Sequence, residues 1–152
     1  MILQDAETLA LNLMREHRLL TMGWKFKFDR AVRRAGRCSF TRKIISLSAP
    51  KVLINEEHLI KNTILHEIAH ALVGSGHGHD HVWKAKAKEI GCTGERCSSG
   101  YTRIQGKYIG TCPSGHIHHK HRKSKIEQSC GICSRIFSRD YLITYTLNET
   151  IS

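Results

Sequence analysis

The sequence predicts an α+β fold in which helices pack on a small mixed sheet and a small cysteine-containing subdomain follows. Three observations lead to this prediction. Apolar residues recur at helical spacing in three segments, and they alternate at strand spacing in the first third of the chain. After Cys92, glycine, cysteine and basic residues dominate instead. The chain has 152 residues, of which 40% are hydrophobic, and this is enough for an ordinary core.

The local pattern places the first elements in chain order. Residues 2–20 carry apolar side chains at helical spacing, which predicts an amphipathic helix. Residues 24–29 alternate apolar and charged side chains as a half-buried strand does, and residues 37–47 are expected to form further strand. Pro50 is expected to break the chain before a short apolar link, residues 52–54.

Two capped helices are expected next. Asn55 is a good N-cap for a helix that runs to about Val73 and stops at Gly74. Asp80 can cap a second helix over residues 81–90, which Gly91 closes.

The helix that ends at Val73 carries the sequence His66-Glu67-Ile68-Ala69-His70. Histidines at i and i+4 lie on one helix face, about 6 Å apart along the axis, so both imidazoles can reach one metal ion. Glu67 then points beside the metal, where it can act as a general base. These three are the only polar side chains between Ile64 and Val73, and polar groups on such an apolar helix are costly unless paired or metal-bound. The pattern therefore predicts a catalytic zinc site.

A catalytic zinc ion needs a third protein ligand. The residues leave four candidates: His77, His79, His81 and Glu89. The compact metzincin spacing fails, because Val73 and Gly76 stand where that pattern needs glycine and histidine. Glu89 is better interpreted as a solvated charge that pairs with Lys86 one turn earlier.

The motif and the following loop, Gly-His-Gly-His79-Asp-His-Val-Trp83-Lys84, resemble the SprT-like zinc metallopeptidases, the family that includes Spartan. Their third ligand is a histidine followed four residues later by an aromatic residue, a spacing that His79 and Trp83 match. Residues 80–82, Asp-His-Val, depart from the usual Gly-Pro-Glu, which leaves His77 and His81 as alternatives to His79.

The resemblance implies a minimal zincin-type peptidase domain with the motif on its central helix. It also implies an endopeptidase activity in which Glu67 activates a zinc-bound water. By similarity to Spartan, the substrates are expected to be proteins near DNA, bound to it or crosslinked to it.

A second metal site is expected downstream. Cys112-Pro-Ser-Gly-His116 precedes Cys130-Gly-Ile-Cys133, and paired knuckles of this kind suit a tetrahedral structural zinc. The predicted ligands are Cys112, His116, Cys130 and Cys133, with His118, His119, Cys92 or Cys97 as alternatives to His116. A redox pair is the competing interpretation of the two final cysteines. A C-terminal zinc ribbon also fits many SprT-like proteins.

These motifs give the expected domain organisation. It comprises a SprT-like peptidase domain at 1–93, a connector at 94–108, a zinc-ribbon-like subdomain at 109–140 and a C-terminal strand or tail at 141–152.

The charge predicts an anionic partner. Lys and Arg number 24 against 13 Asp and Glu, a formal net charge of +11. Such an excess favours DNA binding through phosphates with weak sequence preference. Two basic clusters are candidates: a first cluster of Lys25, Lys27, Arg30, Arg33, Arg34, Arg37, Arg42 and Lys43, and a second cluster at residues 118–125. Tyr101 and Tyr108 are expected beside them for base stacking.

Compartment and partners follow from what the sequence does not contain. No apolar run is long enough to cross a bilayer, and the N-terminus does not resemble a secretory signal. We therefore expect an intracellular protein, cytoplasmic or nucleoid-associated, without a membrane partner, whose six cysteines act as thiols or metal ligands. A monomer is expected.

Two other functions compete with the peptidase. A YbeY-like metal-dependent endoribonuclease also uses three histidines, but Gly76 stands where its third would be. A non-catalytic nucleic-acid-binding zinc protein would not need Glu67 beside an open coordination position.

Overall fold

The computed structural model describes residues 1–96 and 100–149, in two compact units, Met1–Ile104 and Gln105–Ser152. The helices of the first unit are α1 (Leu3–Glu16), α2 (Ala49–Ile54), α3 (Glu57–Val73) and α4 (His81–Glu89). Its strands are β1 (Lys25–Asp29), β2 (Gly36–Ser39) and β3 (Ile44–Ser48). The second unit contains the strands β4 (Tyr108–Thr111), β5 (Ile117–Lys120) and β6 (Thr144–Leu147) and a 3₁₀ turn at Arg139–Tyr141. Helices and small sheets together make the α+β fold that the sequence predicts.

The sheet of the first unit has the strand order β1-β3-β2. β1 and β3 are parallel, and β2 and β3 are antiparallel, so β2 forms one edge. The prediction of one strand over residues 37–47 is wrong, because residues 40–43 turn the chain between β2 and β3. Lys43 has a positive φ of 50° in this turn, a backbone conformation that hydrophobic alternation does not reveal.

The apolar link expected at residues 52–54 is part of helix α2 instead. Pro50 lies in the first turn of this helix, where a missing N–H costs nothing. The Ser48 hydroxyl caps the helix by accepting a hydrogen bond from the backbone N–H of Lys51 at 3.2 Å. Proline therefore starts a helix here.

Asn55 does not cap α3 as predicted, because Glu56 occupies the cap position and makes no side-chain cap bond. The Asn55 amide nitrogen donates to the carbonyl of Lys51, and its oxygen accepts from the N–H of Thr102, both at 2.8 Å. The prediction that Asp80 caps α4 is confirmed, since its carboxylate accepts hydrogen bonds from the N–H groups of Val82 and Trp83.

Helix α3 lies at the centre of the first unit, in contact with α1, α4, β2 and β3. Ile64 and Ile68 are fully buried, and Ile60 nearly so. Burying each such side chain contributes roughly 1.5–3 kcal/mol to folding, so α3 is held by packing on all sides. This burial confirms the prediction of a buried helix and gives the motif residues a rigid support.

The second unit is built on an antiparallel sheet with the order β5-β4-β6. A Cβ atom at Gly110 in β4 would lie 2.5 Å from the side chains of Ile143 and Tyr145, so only glycine fits there.

Within the described part of the chain, no helix combines the length and apolar character that crossing a membrane requires.

Candidate active site and metal centres

Three histidines converge at the C-terminal half of α3. The Nε2 atom of His79 lies 2.9 Å from that of His66 and 3.2 Å from that of His70. Nitrogens on a tetrahedral zinc ion are about 3.3 Å apart, given the usual Zn–N bond length. The ring nitrogens of His66, His70 and His79 are therefore grouped as ligands of one metal ion would be.

The indole of Trp83 supports all three imidazoles. Its ring stacks on His70 with centroids 5.1 Å apart and planes at 25°, and its centroid lies 4.6 Å from those of His66 and His79. Its Nε1–H donates to the carbonyl of His66 at 3.4 Å. Because Trp83 is only 1% exposed, it is a fixed platform that orients the rings.

The environment keeps these histidines neutral. Burial, followed by the charge of the neighbouring imidazoles, lowers the pKa of His66 and of His70 to about 4. Burial also lowers the pKa of His79. Neutral imidazole has the free lone pair that a metal ion requires, so the group is prepared for a metal at neutral pH.

The other candidates for third ligand have different partners. The Nδ1 atom of His77 lies 3.0 Å from the carboxylate of Asp80, and His81 begins α4 outside the group. Glu89 forms an ion pair with Lys86 at 2.9 Å, which confirms the interpretation of Glu89 as a surface charge.

Glu67 is buried between the histidines and strand β2. Its side chain is 8% exposed, and burial raises its pKa to about 7, although the Arg34 guanidinium opposes this rise. A cation held by the histidines would lower this pKa again through Coulomb attraction. Glu67 is therefore a buried carboxyl placed beside the histidines, where a general base would be needed.

An open cleft of about 380 Å³ runs along the histidine group. Edge strand β2 contributes Gly36, Arg37 and Cys38 to one side of this cleft, and His66, Glu67, His70 and His79 line it as well. The far side contains Gly74, Gly76 and Gly78, all with positive φ, which bring the loop backbone close to the site.

The second unit contains a second group of metal-binding type, formed by Cys112, His116, Cys130 and Cys133. The Nδ1 atom of His116 lies 3.3–3.6 Å from the three sulfurs, and the sulfurs of Cys112 and Cys133 are 3.8 Å apart. These distances match the edges of a zinc tetrahedron, which are about 3.6 Å for S–N and about 3.8 Å for S–S.

Local hydrogen bonds favour the thiolate form of Cys112. Burial alone would raise its pKa, but hydrogen bonds from His116 and from the Ser114 backbone outweigh burial and lower the pKa to about 6. Gly115, with a φ of +86°, closes the turn that brings His116 back toward Cys112.

The alternatives to His116 lie elsewhere. The Nε2 atom of His118 is 3.3 Å from the sulfur of Cys130, beside the four-residue group rather than in it. Cys92 is buried in the core of the first unit, with its sulfur 3.7 Å from the carbonyl of Asn62. Cys97 lies outside the described residues.

Cys38, in β2, packs against the core, as expected of a small hydrophobe, and burial raises its pKa to about 12.

Sequence reasoning missed three residues around Glu67. Gly36 lets strand β2 approach α3 closely. A glycine inside a predicted strand is the sequence signal that could have indicated this close approach. Lys51 is buried and lines a cavity beside Glu67. Tyr101, expected beside the basic clusters, lines the same cavity together with Arg33 and Arg34 of the first cluster, and its hydroxyl hydrogen-bonds with Thr63.

Comparison with known proteins agrees with this geometry. The model of the SprT-like family matches residues 6–105, about two thirds of the chain, and includes α3, the histidine group and Trp83. A search of curated proteins found no match. The SprT-like family is associated with metal-dependent peptidase function. The match covers most of the first unit and its histidine group, and the chain belongs to the SprT-like family.

Proposed function

We propose that this protein is a zinc-dependent endopeptidase that acts on proteins near or bound to DNA. The observation that carries the proposal is the buried carboxyl of Glu67 beside His66, His70 and His79. A structural metal site needs no such carboxyl, because its coordination is closed by protein ligands.

Zinc is the proposed metal in both groups. Three neutral imidazoles are the donor set of many catalytic zinc sites, and three thiolates with one imidazole are a common structural set. Zinc bound by the histidines would supply Lewis acidity toward a water molecule and a peptide carbonyl.

Glu67 would move the proton. A carboxylate beside the histidines can accept a proton from the attacking water and then release it to the departing amine. The contact with strand β2 supports this role. Strand β2 lies against one side of Glu67 and limits movement of its carboxyl.

Edge strand β2 favours a peptide as the substrate. One side of β2 pairs with β3, and its other side borders the cleft that contains the histidines. Unpaired backbone groups of an edge strand bind an extended peptide by adding it to the sheet. This feature suits a peptidase better than a YbeY-like endoribonuclease.

We propose that the second unit contacts DNA. A cavity of about 510 Å³ there is lined by Lys120, Arg122, Lys123 and Lys125 together with Tyr108 and Tyr145. The Lys120 ammonium lies 4.4 Å from the centre of the Tyr145 ring. Cations beside aromatic rings can bind DNA phosphates while the rings stack on adjacent bases, and such binding has little sequence preference.

Because free thiols need a reducing compartment, the proposal includes an intracellular location.

The test of the peptidase compares wild type with Glu67→Gln, using Glu57→Gln at the exposed start of α3 as the matched control. The substrate is a histone, with and without single-stranded DNA, and an RNA oligonucleotide is tested in parallel. We expect wild type and Glu57→Gln to cleave the histone and Glu67→Gln to be inactive. Equal proteolysis by all three proteins would refute the role of Glu67, and cleavage of RNA alone would favour the endoribonuclease.

The test of DNA binding measures the fluorescence anisotropy of a labelled single strand. Lys123→Glu and Lys125→Glu should weaken binding and reduce its dependence on salt, because each removes a phosphate contact. Lys61→Glu, in the first unit, is the control for net charge. Equal loss of affinity in all three variants would show a nonspecific effect of charge and refute the assignment.

A further inference from the structure

A second cavity opens beside Glu67, separate from the cleft along the histidines. Its volume is about 320 Å³, within the range of ligand sites, and both Glu67 and His66 line it. Four cationic side chains and one aromatic ring contribute to its wall: Arg33, Arg34, Lys51, Arg96 and Tyr101. The cavity therefore joins the reacting groups to a concentrated positive charge.

Lys51 is the most unusual member of this wall. The residue is only 8% exposed, and its ammonium group forms no hydrogen bond or ion pair with any described residue. Its Nζ lies 5.4 Å from the centre of the Tyr101 ring. Desolvation lowers the pKa of Lys51. The cavity therefore presents a cation with which no described carboxylate forms an ion pair.

The neighbouring charges do not supply a counterion for Lys51. Arg34 is already paired, since its guanidinium lies 2.7 Å from the carboxylate of Asp29. Arg33 and Arg96 form no ion pair within the described residues, and both add positive charge. Glu67 is the carboxyl that lines the cavity, and it forms no ion pair with Lys51.

The Lys51 backbone and the Tyr101 hydroxyl are held in place before any ligand arrives, whereas Arg33 and Arg96 are exposed. The backbone of Lys51 is held at both ends, because its N–H donates to Ser48 and its carbonyl accepts from Asn55. The Tyr101 hydroxyl donates to the carbonyl of Leu59 at 3.0 Å and lies 2.6 Å from the hydroxyl of Thr63. Fixing this part of the wall in advance reduces the ordering entropy lost when the pocket binds an anion.

We propose that this cavity is a specificity subsite that selects an acidic side chain, Asp or Glu, of the peptide substrate close to the scissile bond. The inference rests on the proposed peptidase function, because Glu67 lines both the cavity and the histidine cleft. A carboxylate placed there receives a charge-assisted hydrogen bond from Lys51 Nζ and the attraction of Arg33 and Arg96. A neutral side chain would offer no counter-charge to these cations, and a basic side chain would be repelled by them.

The experiment has a cleavage arm and a binding arm. In the cleavage arm, denatured casein is digested and the cut sites are mapped by mass spectrometry. Peptide pairs that differ by one Glu or Gln beside a mapped cut are then compared by kcat/KM. In the binding arm, calorimetry with zinc-loaded protein measures the affinity of the hexapeptides Ala-Ala-Glu-Ala-Ala-Ala and Ala-Ala-Gln-Ala-Ala-Ala.

We expect wild type to prefer Glu over Gln by about tenfold in both arms, as a hydrogen bond between charged groups provides. Lys51→Met should bring this ratio close to one, and Lys51→Arg should retain most of it. Lys61→Met, an exposed lysine on α3, should leave the ratio unchanged. Thermal unfolding of each variant excludes loss of the fold as the cause.

The outcomes separate the subsite from the peptidase. The subsite would be overturned if wild type cut casein without preferring Glu over Gln, or if Lys51→Met kept the wild-type preference for Glu. Wild type that cuts no more casein than Glu67→Gln would overturn the peptidase, and the binding arm then decides the subsite alone. The proposal would also be refuted if wild type bound both hexapeptides equally and Lys51→Met weakened binding of single-stranded DNA. That result would assign the cavity to phosphate.

Discussion

The backbone of Gly36 in strand β2 lies directly against the side chain of Glu67 in helix α3. A Cβ atom at position 36 would be 3.0 Å from both Cγ and Oε1 of Glu67, and 2.8 Å from Cγ2 of Thr63. Thr63 and Glu67 are buried, so neither side chain can easily move aside. The absence of a side chain at Gly36 therefore sets the position of Glu67.

Gly36→Ala should displace Glu67 and reduce peptidase activity by about a hundredfold, since small misplacements of a catalytic group have effects of this size. The overpacking should also lower the free energy of unfolding by about 1–3 kcal/mol. Initial rates on casein and urea denaturation measure the two effects. Gly131→Ala is the matched control, because a Cβ there meets nothing within 4 Å. Wild-type activity in Gly36→Ala would show that Glu67 tolerates the shift.

Trp83→Leu should weaken binding of zinc by the three histidines. The indole contacts all three imidazoles and donates a hydrogen bond to the backbone of His66, so its loss frees the rings to rotate. Loss of such a support lowers metal affinity by about 10–100-fold. Competition with a chromophoric chelator measures the affinity. Trp24→Leu removes another buried indole that packs on Phe40 and should leave zinc affinity unchanged. Equal weakening in both variants would point to general loosening of the fold.

Cys130→Ser should reduce the zinc content from two ions per chain to one. Cys130 is fully buried within the group of four ligands, and the metal contributes folding free energy to a unit with few large buried apolar side chains. Elemental analysis gives the stoichiometry, and proteolysis of residues 105–149 gives the local stability. Cys38→Ser, a cysteine outside both groups, is the control. One zinc ion per chain in wild type and variant alike would remove the structural site.

Asp29 should make the stability of the first unit depend on pH. Burial raises its pKa, but hydrogen bonds from the Ala31 N–H, Arg34 and Ser46 outweigh burial, so the pKa lies below its ordinary value of 3.8. A carboxyl with a lowered pKa in the folded state stabilises the fold above its unfolded pKa. That contribution is lost as the pH falls through the folded pKa.

Asp29→Asn should therefore be less stable than wild type at pH 7, by about 1 kcal/mol, and the difference should shrink below about pH 4. Thermal unfolding from pH 3 to 7 measures this convergence. Asp5→Asn, at the exposed start of α1, is the control and should show no such trend. A constant difference across the pH range would exclude ionisation of Asp29 as the cause.

Sequence reasoning performs best where the chemistry lies within one helix or one turn. The spacing of His66 and His70 places both on one face of α3 whatever else the chain does, because helix geometry is local. The Asp80 cap and the Lys86–Glu89 pair are local in the same sense. The predicted strand over residues 37–47 failed for a related reason, since apolar residues continue on both sides of a turn that depends on the backbone of Lys43.

The sequence by itself determined the motif helix, the donor types of both metal groups and the family to which the chain belongs. Only the tertiary structure decided that His79, and not His77 or His81, meets the motif histidines, because that choice depends on how the glycine loop folds back over α3. It also decided the contact of Gly36 with Glu67 and the placement of Lys51 in the adjoining cavity. Gly36 and Lys51 lie 31 and 16 positions before Glu67 in the chain, and packing between elements, which no local pattern encodes, brings them beside it.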